Sequence, residues 1–316
     1  MTECREFFYP SADGRTQIHA RCWQPEGAPR AVVQIAHGIC EHIGRYDHFA
    51  CWLAERGILV VGNDHPGHGQ SWQDPARKGF FAETGGWELA VGEMEALRRT
   101  TADAYPKVPY FLLGHSMGSF LTRTYLILHP GVLDGAILSG TGQQPGWLTA
   151  AGCGFADLLC RTKGVLHRSP LARKLMFGGY NKDFQPNRTE NDWLCGDAAV
   201  VDAYCADPLC GFLPCIGLYR DMLGGLRFIG KPEHTVKMEK TTPVLFLSGS
   251  MDPVGENGAG VDRTVALFQQ AGCRDVTDLR YPDGRHEVLN EVWREDVYCD
   301  VLFWLEERLE KMRTGN

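Results

Sequence analysis

Gly114-His115-Ser116-Met117-Gly118 directly follows the apolar run Tyr110-Phe111-Leu112-Leu113. This is the pattern G-x-S-x-G at the end of a strand-like segment, and it decides the fold. A serine at a turn this tight takes a strained backbone conformation, and side chains at the ±2 positions would collide with neighbouring backbone. Glycine at 114 and 118 removes that collision. Leu121, Tyr125 and Leu128 continue with helical spacing, so the turn leads from a strand into a helix. The hydroxyl stands at the tip, with a helix N-terminus behind it that favours developing negative charge.

Strands and helices alternate on both sides of this turn. Residues 6–9 and 18–23 read as a hairpin joined by Ser11-Ala12-Asp13-Gly14. Strands follow at 31–36, 58–62, 110–113 and 136–139. Helices lie at 46–56, 87–105 and 116–129, the last two stopped by Pro106 and Pro130. Between about 140 and 241 no strand-like run occurs. Residues 146–161 form an amphipathic helix pattern with Trp147, Leu148, Phe155, Leu158 and Leu159 on one side, and 214–229 has helical spacing again. The alternation resumes with strands at 244–247 and 279–281 and helices at 262–271 and 292–311. The expected architecture is α/β, with a mostly parallel eight-stranded sheet and helices on both faces. A core at 1–140 and 242–316 is interrupted by a helical insert at 141–241.

Composition narrows the function. The chain has 316 residues, 44% of them hydrophobic, and a net charge of −7. Arg98-Arg99 is its densest basic pair, so no clustered basic face for nucleic acid is expected. The first residues are polar and charged, and no apolar run reaches membrane-spanning length. The twelve cysteines include no Cys-x-x-Cys spacing and read as reduced packing residues in a cytoplasmic protein.

A serine nucleophile needs a base, and the base needs an orienting acid. Working groups of such sheets sit at the carboxyl ends of strands. Asp252 lies in the loop after the next-to-last strand and His286 in the loop after the last. The order Ser116, Asp252, His286 is that of the α/β-hydrolase scaffold. Asp283 competes for the acid role, but Asp283-Gly284 is turn chemistry. His286-Glu287 lacks the second histidine of a zinc-protease motif, because position 290 is asparagine. Two N–H donors would hold an oxyanion: Met117, next to the nucleophile, and Ile39, in the His37-Gly38-Ile39 turn. Five histidines lie at 37, 42, 48, 65 and 68. His37, His65 and His68 sit in turns after two different strands, which does not predict convergent ligand geometry, and no metal or other cofactor is assigned.

These pieces resemble the α/β-hydrolases of the monoacylglycerol lipase and lysophospholipase type, the serine aminopeptidase S33-like hydrolases. The matching stretches are His37 to Tyr46, Asn63 to Ser71, Gly114 to Gly118, Ser248 to Asp252, and His286-Glu287. The resemblance implies a Ser116–Asp252–His286 triad, an oxyanion hole at Ile39 and Met117, and a helical cap that shapes an acyl tunnel. It places Glu41 and Arg45 beside the alcohol part of the substrate; the two residues equally read as an ion pair that holds their loop. Phe177 to Lys182 and Asp192 to Leu194 depart from the animal lipases and resemble bacterial members. The implied function is cleavage of single-chain lipid esters through an acyl-enzyme, with transient membrane-surface contact through the cap. An aminopeptidase would instead need an acid to hold a free amine, for which Glu190, Asp192 and Asp197 are candidates. A short-chain esterase is a further alternative, and a non-catalytic binding protein would ordinarily lack a triad member.

Overall fold

The structure, a computed structural model, describes residues 3–72 and 74–315. Eight strands form one sheet: β1 (Glu3–Pro10), β2 (Gln17–Gln24), β3 (Ala31–Ala36), β4 (Ile58–Asn63), β5 (Tyr110–His115), β6 (Gly135–Ser139), β7 (Val244–Gly249) and β8 (Val276–Tyr281). Their order is β1-β2-β4-β3-β5-β6-β7-β8. β1 and β2 pair antiparallel, as do β2 and β4, and every later pair is parallel. All residues of β3 to β7 are buried, which explains why these strands read as continuous apolar runs rather than alternating ones.

Alternation still decides which layer each side chain joins. Val32, Leu59, Leu112, Leu138 and Phe246 point into one core; Val33, Val60, Phe111, Ile137 and Leu245 point into the other. The first core is covered by α2 (Gly86–Ala104), α3 (Met117–Leu128) and α9 (Ala259–Gln270). The second is closed by α1 (Asp47–Ala54) and α10 (Arg294–Thr314), which contribute Phe49, Leu53, Val301 and Trp304.

Between β6 and β7 the chain builds α4 (Gly146–Lys163), α5 (Pro170–Phe177), α6 (Ala198–Ala206), α7 (Ile216–Ile229) and the short α8 (Pro232–Thr235). Its buried side chains, among them Ala156, Ala172, Tyr204 and Tyr219, belong to the same cluster as the first core. α4 corrects one expectation. It packs its small residues inward, with Thr149 and Ala156 buried and Gly152 facing Leu223 of α7. Small side chains let the two helices approach closely, so the large apolar ones are turned out: Trp147 is 73% exposed and Leu158 58%. Phe155 and Leu159 lie at the edge of the packed face.

Burial therefore separates side chains of similar hydrophobicity. Phe246→Ala, in the centre of β7, is expected to destabilise the protein by about 3–5 kcal/mol, whereas Leu158→Ala should stay within about 0.5 kcal/mol of the parent. Urea unfolding of the two variants checks the contrast.

Candidate active site

Ser116 occupies the turn between β5 and α3 with φ 53 and ψ −121, a conformation disfavoured for any residue with a side chain. The neighbouring glycines show why it is held there. A Cβ on Gly118 would stand 1.9 Å from the Ala36 carbonyl oxygen, and one on Gly114 would stand 2.3 Å from the Gly118 oxygen. β3, β5 and α3 thus meet at backbone contact, and the hydroxyl is forced outward.

His286 and Ser116 both line one cavity of about 840 Å³ over the carboxyl end of the sheet. His286 Nδ1 lies 2.9 and 3.0 Å from the two carboxylate oxygens of Asp252, and both residues are buried. An Nδ1–H donated to that carboxylate leaves Nε2 as the basic atom. Burial pushes the imidazole pKa down, but the Asp252 charge and hydrogen bond outweigh it, and the net shift is upward. Ser116 Oγ makes no hydrogen bond among the described residues, His286 included; in free enzymes such contacts are commonly long and tighten with substrate. Asp283 is an exposed turn residue whose N–H donates to Ser250 Oγ.

Ile39 and Met117 also flank Ser116, and no protein acceptor among the described residues pairs with either backbone N–H. The Gly38–Ile39 peptide is fixed from behind. His37 Nδ1 lies 2.7 Å from the Gly38 carbonyl oxygen, and the Gly38 N–H donates to Glu41 Oε1 at 2.5 Å. With its carbonyl tied to His37, that peptide carries its N–H on the opposite side. The His37 brace was not visible in the sequence, where His37-Gly38 carried no partner.

Glu41 and Arg45 form part of a buried ion-pair chain. Arg45 donates to Glu41 Oε2 at 2.6 Å and, through both terminal nitrogens, to the Glu287 oxygens at 2.7 Å. Glu287 follows the candidate base in sequence, and Arg45 holds its carboxyl down at about 2 against the opposing effect of burial. This chain joins the Ile39 loop to the His286 loop. Glu41 lines the cavity with both oxygens occupied by protein donors, while Arg45 stands behind the wall.

The histidines of the two glycine-rich turns are closer than expected. β3 and β4 are adjacent, so the His37 ring packs 4.2 Å from that of His65 and 5.4 Å from that of His68. Burial holds His65 at about 3 and His68 at about 4, and both His37 nitrogens are engaged with backbone. His42, Asp207 and Cys210 bring their polar atoms within 4.8 Å of one another. There the Gly44 N–H donates to His42 Nδ1, so the ring proton sits on Nε2 and bonds Asp207 at 2.9 Å. That trio is a hydrogen-bonded joint between the first loop and the insert.

The upward shift of His286 has a measurable consequence. The charged ring is inactive as a base, so kcat/KM is expected to rise with pH through a midpoint above the ordinary 6.5. The Glu287 charge favours the imidazolium. Glu287→Gln should therefore move the midpoint down and lower kcat about tenfold, since a charge-assisted link between the two loops is lost. A pH–rate profile with an unmoved midpoint would contradict this placement of charge.

Comparison with known proteins identifies the family. Residues 27–292 match the family described as serine aminopeptidase, S33. The chain is 30% identical to a monoacylglycerol lipase of Mycolicibacterium smegmatis over 92% of its length and 94% of the relative's. It is 27% identical to the human monoglyceride lipase, covering 97% of this chain and 92% of that one. Among solved structures, a thermostable carboxyl esterase from Bacillus coagulans in complex with glycerol superposes with a TM-score of 0.90 at 27% identity, covering 98% of this chain and all of the other. The chain belongs to the serine aminopeptidase S33 family of α/β hydrolases, and the relatives it matches are lipases and esterases.

Proposed function

We propose that this chain hydrolyses carboxylic esters of single-chain lipids through an acyl-enzyme. The observation that carries the proposal is His286, tied by Nδ1 to Asp252 on the cavity that holds the strained Ser116. Ser116 Oγ attacks the ester carbonyl while His286 Nε2 takes its proton. The N–H groups of Ile39 and Met117 hold the oxyanion. His286 returns the proton to the leaving alcohol, and water repeats the sequence to release the acid. Residues 141–241 act as the cap over a core of 1–140 and 242–316.

The cavity wall supports an amphipathic substrate. Ile39, Tyr204, Phe212 and Leu213 offer apolar surface for an acyl chain, while Asn187, Thr189 and Asn191 supply polar groups for a small alcohol. None of its lining comes from α4, so the expected acyl wall of Trp147, Leu148, Phe155, Leu158 and Leu159 is replaced by α5 and the 211–214 stretch. The exposed Trp147, Leu148 and Leu158 of α4, with Leu171 and Leu175 of α5, instead suit transient contact with a membrane surface.

Among the described residues, each of the three acids expected to hold a free amine is paired or lies outside the cavity lining. Glu190 lines the cavity but pairs with Arg173 at 3.1 Å. Asp192 accepts from Thr189 and the Arg188 N–H, and Asp197 caps α6 outside the lining. Arg173, Lys174 and Arg188 face the same space and repel an ammonium group. The names of the relatives favour glycerol monoesters as the substrate class.

The test is kcat/KM over monoacylglycerols from C2 to C18, lysophospholipids and aminoacyl amides. Each buried methylene contributes about 0.8 kcal/mol, so efficiency should climb several-fold per carbon until the cavity is full. A fall beyond C4 would identify a short-ester hydrolase, and faster cleavage of amides would identify an aminopeptidase. Ser116→Ala should lower turnover by about 10⁴–10⁶ with the fold intact.

A further inference from the structure

We propose that the Tyr204–Gly211 stretch of the insert is a working part of the oxyanion hole, so that Tyr204 and Asp207 are positioning residues for the Ile39 N–H. The inference rests on the ester-hydrolase reading and goes beyond it, because it makes the hole depend on the seating of the insert.

The argument starts at Cys40. It takes φ 55, in the left-handed region, where a residue with a side chain is held only if its surroundings fix it. Two donors from the insert end on its carbonyl oxygen: the Gly211 N–H at 2.9 Å and the Tyr204 hydroxyl at 3.2 Å. Two residues on, His42 bonds Asp207 at 2.9 Å, and Arg45 lies over the Tyr204 ring at 4.8 Å. Four contacts from one stretch of the insert therefore fall on residues 40–45.

Ile39 is flanked unequally. Its upstream peptide is braced by His37, and the peptide before that by Glu41; both residues belong to the core. On its downstream side, the carbonyl bonds to Cys40 come from the insert. If those bonds break, Cys40 relaxes from its strained conformation and the 39–40 peptide swings. The 38–39 peptide, which carries the Ile39 N–H, is hinged to it at the Ile39 Cα and held by the single His37 bond to its carbonyl, so that N–H turns as the 39–40 peptide swings. A donor off its line by a few tens of degrees stabilises an oxyanion poorly. The insert meets the base loop as well: the Glu287 N–H donates to the Leu194 carbonyl at 2.7 Å, and the Trp193 ring packs 5.1 Å from that of His286. One body thus touches both loops whose N–H and imidazole must face the same carbonyl.

A thionoester separates this role from general structural support. Its sulfur accepts hydrogen bonds weakly, so its transition state gains little from a well-aimed N–H. Tyr204→Phe keeps the ring that lines the cavity and removes only the hydroxyl; Asp207→Asn changes a residue outside the lining. For a short oxoester, Tyr204→Phe should lower kcat by about three- to tenfold with KM unchanged, and the double variant by about ten- to a hundredfold, the scale of one or two hydrogen bonds. The matched thionoester should lose less than about twofold in the single variant, since its transition state barely uses the donor. Equal losses on both esters, a change in KM alone, or no loss would overturn the proposal. Tyr204→Phe decides the matter even where Asp207→Asn weakens folding, and thermal unfolding of each variant reports that weakening. A parent chain that cleaves neither ester would refute the hydrolase reading itself.

Discussion

The backbone contact between Gly118 and the Ala36 carbonyl is the constraint on which the site depends. Even a methyl group at 118 would stand 1.9 Å from that oxygen. Because it cannot be accommodated, α3 begins directly against the end of β3, and the turn that carries Ser116 has no room to relax. The same contact brings the loop after β3 beside Ser116. Ile39 and Met117 come from segments far apart in the chain, and they become neighbours because two strands and one helix meet without intervening side chains.

Much of this was legible in the sequence, for identifiable reasons. Strands buried on both faces read as short apolar runs, and the eight expected strands correspond to the eight observed. Ser116 stands out by its glycine-flanked motif and Asp252 and His286 by their positions after strands, and the structure places the His286 ring on Asp252 and on the cavity that Ser116 lines. The insert was less legible. α5 begins at Ser169-Pro170, an N-cap followed by proline, a start signal that the sequence carries in a segment without strands. α6 is apolar on most sides, so it gives no clear amphipathic period. α4 was placed by its large side chains, whereas its packing is decided by the small ones facing α7.

The contacts that escaped were those between distant segments. Arg45 and Glu287 are 242 positions apart, and no local pattern joins them. In the sequence His37 is one of five histidines between 37 and 68 with no assigned partner, and its role as a brace emerges only when its bond to the Gly38 carbonyl is seen. Each is a buried polar group, and such groups must find partners because an unpaired charge or donor in a dry interior is costly. The partners are set by the fold, and here they tie the acid–base loop to the loop after β3. The geometry of the candidate site is thus held by two layers: backbone contact at the elbow, and a buried chain of carboxylates and guanidinium around it.

The central claim is that Ser116 is the nucleophile of an ester hydrolase, and a covalent serine probe tests it most directly. A fluorophosphonate should form one adduct per chain, mapped by mass spectrometry to the peptide that contains Ser116, with hydrolysis lost in proportion to labelling. Full modification of Ser116 with hydrolysis retained, or loss of hydrolysis with the adduct on another residue, would contradict the account.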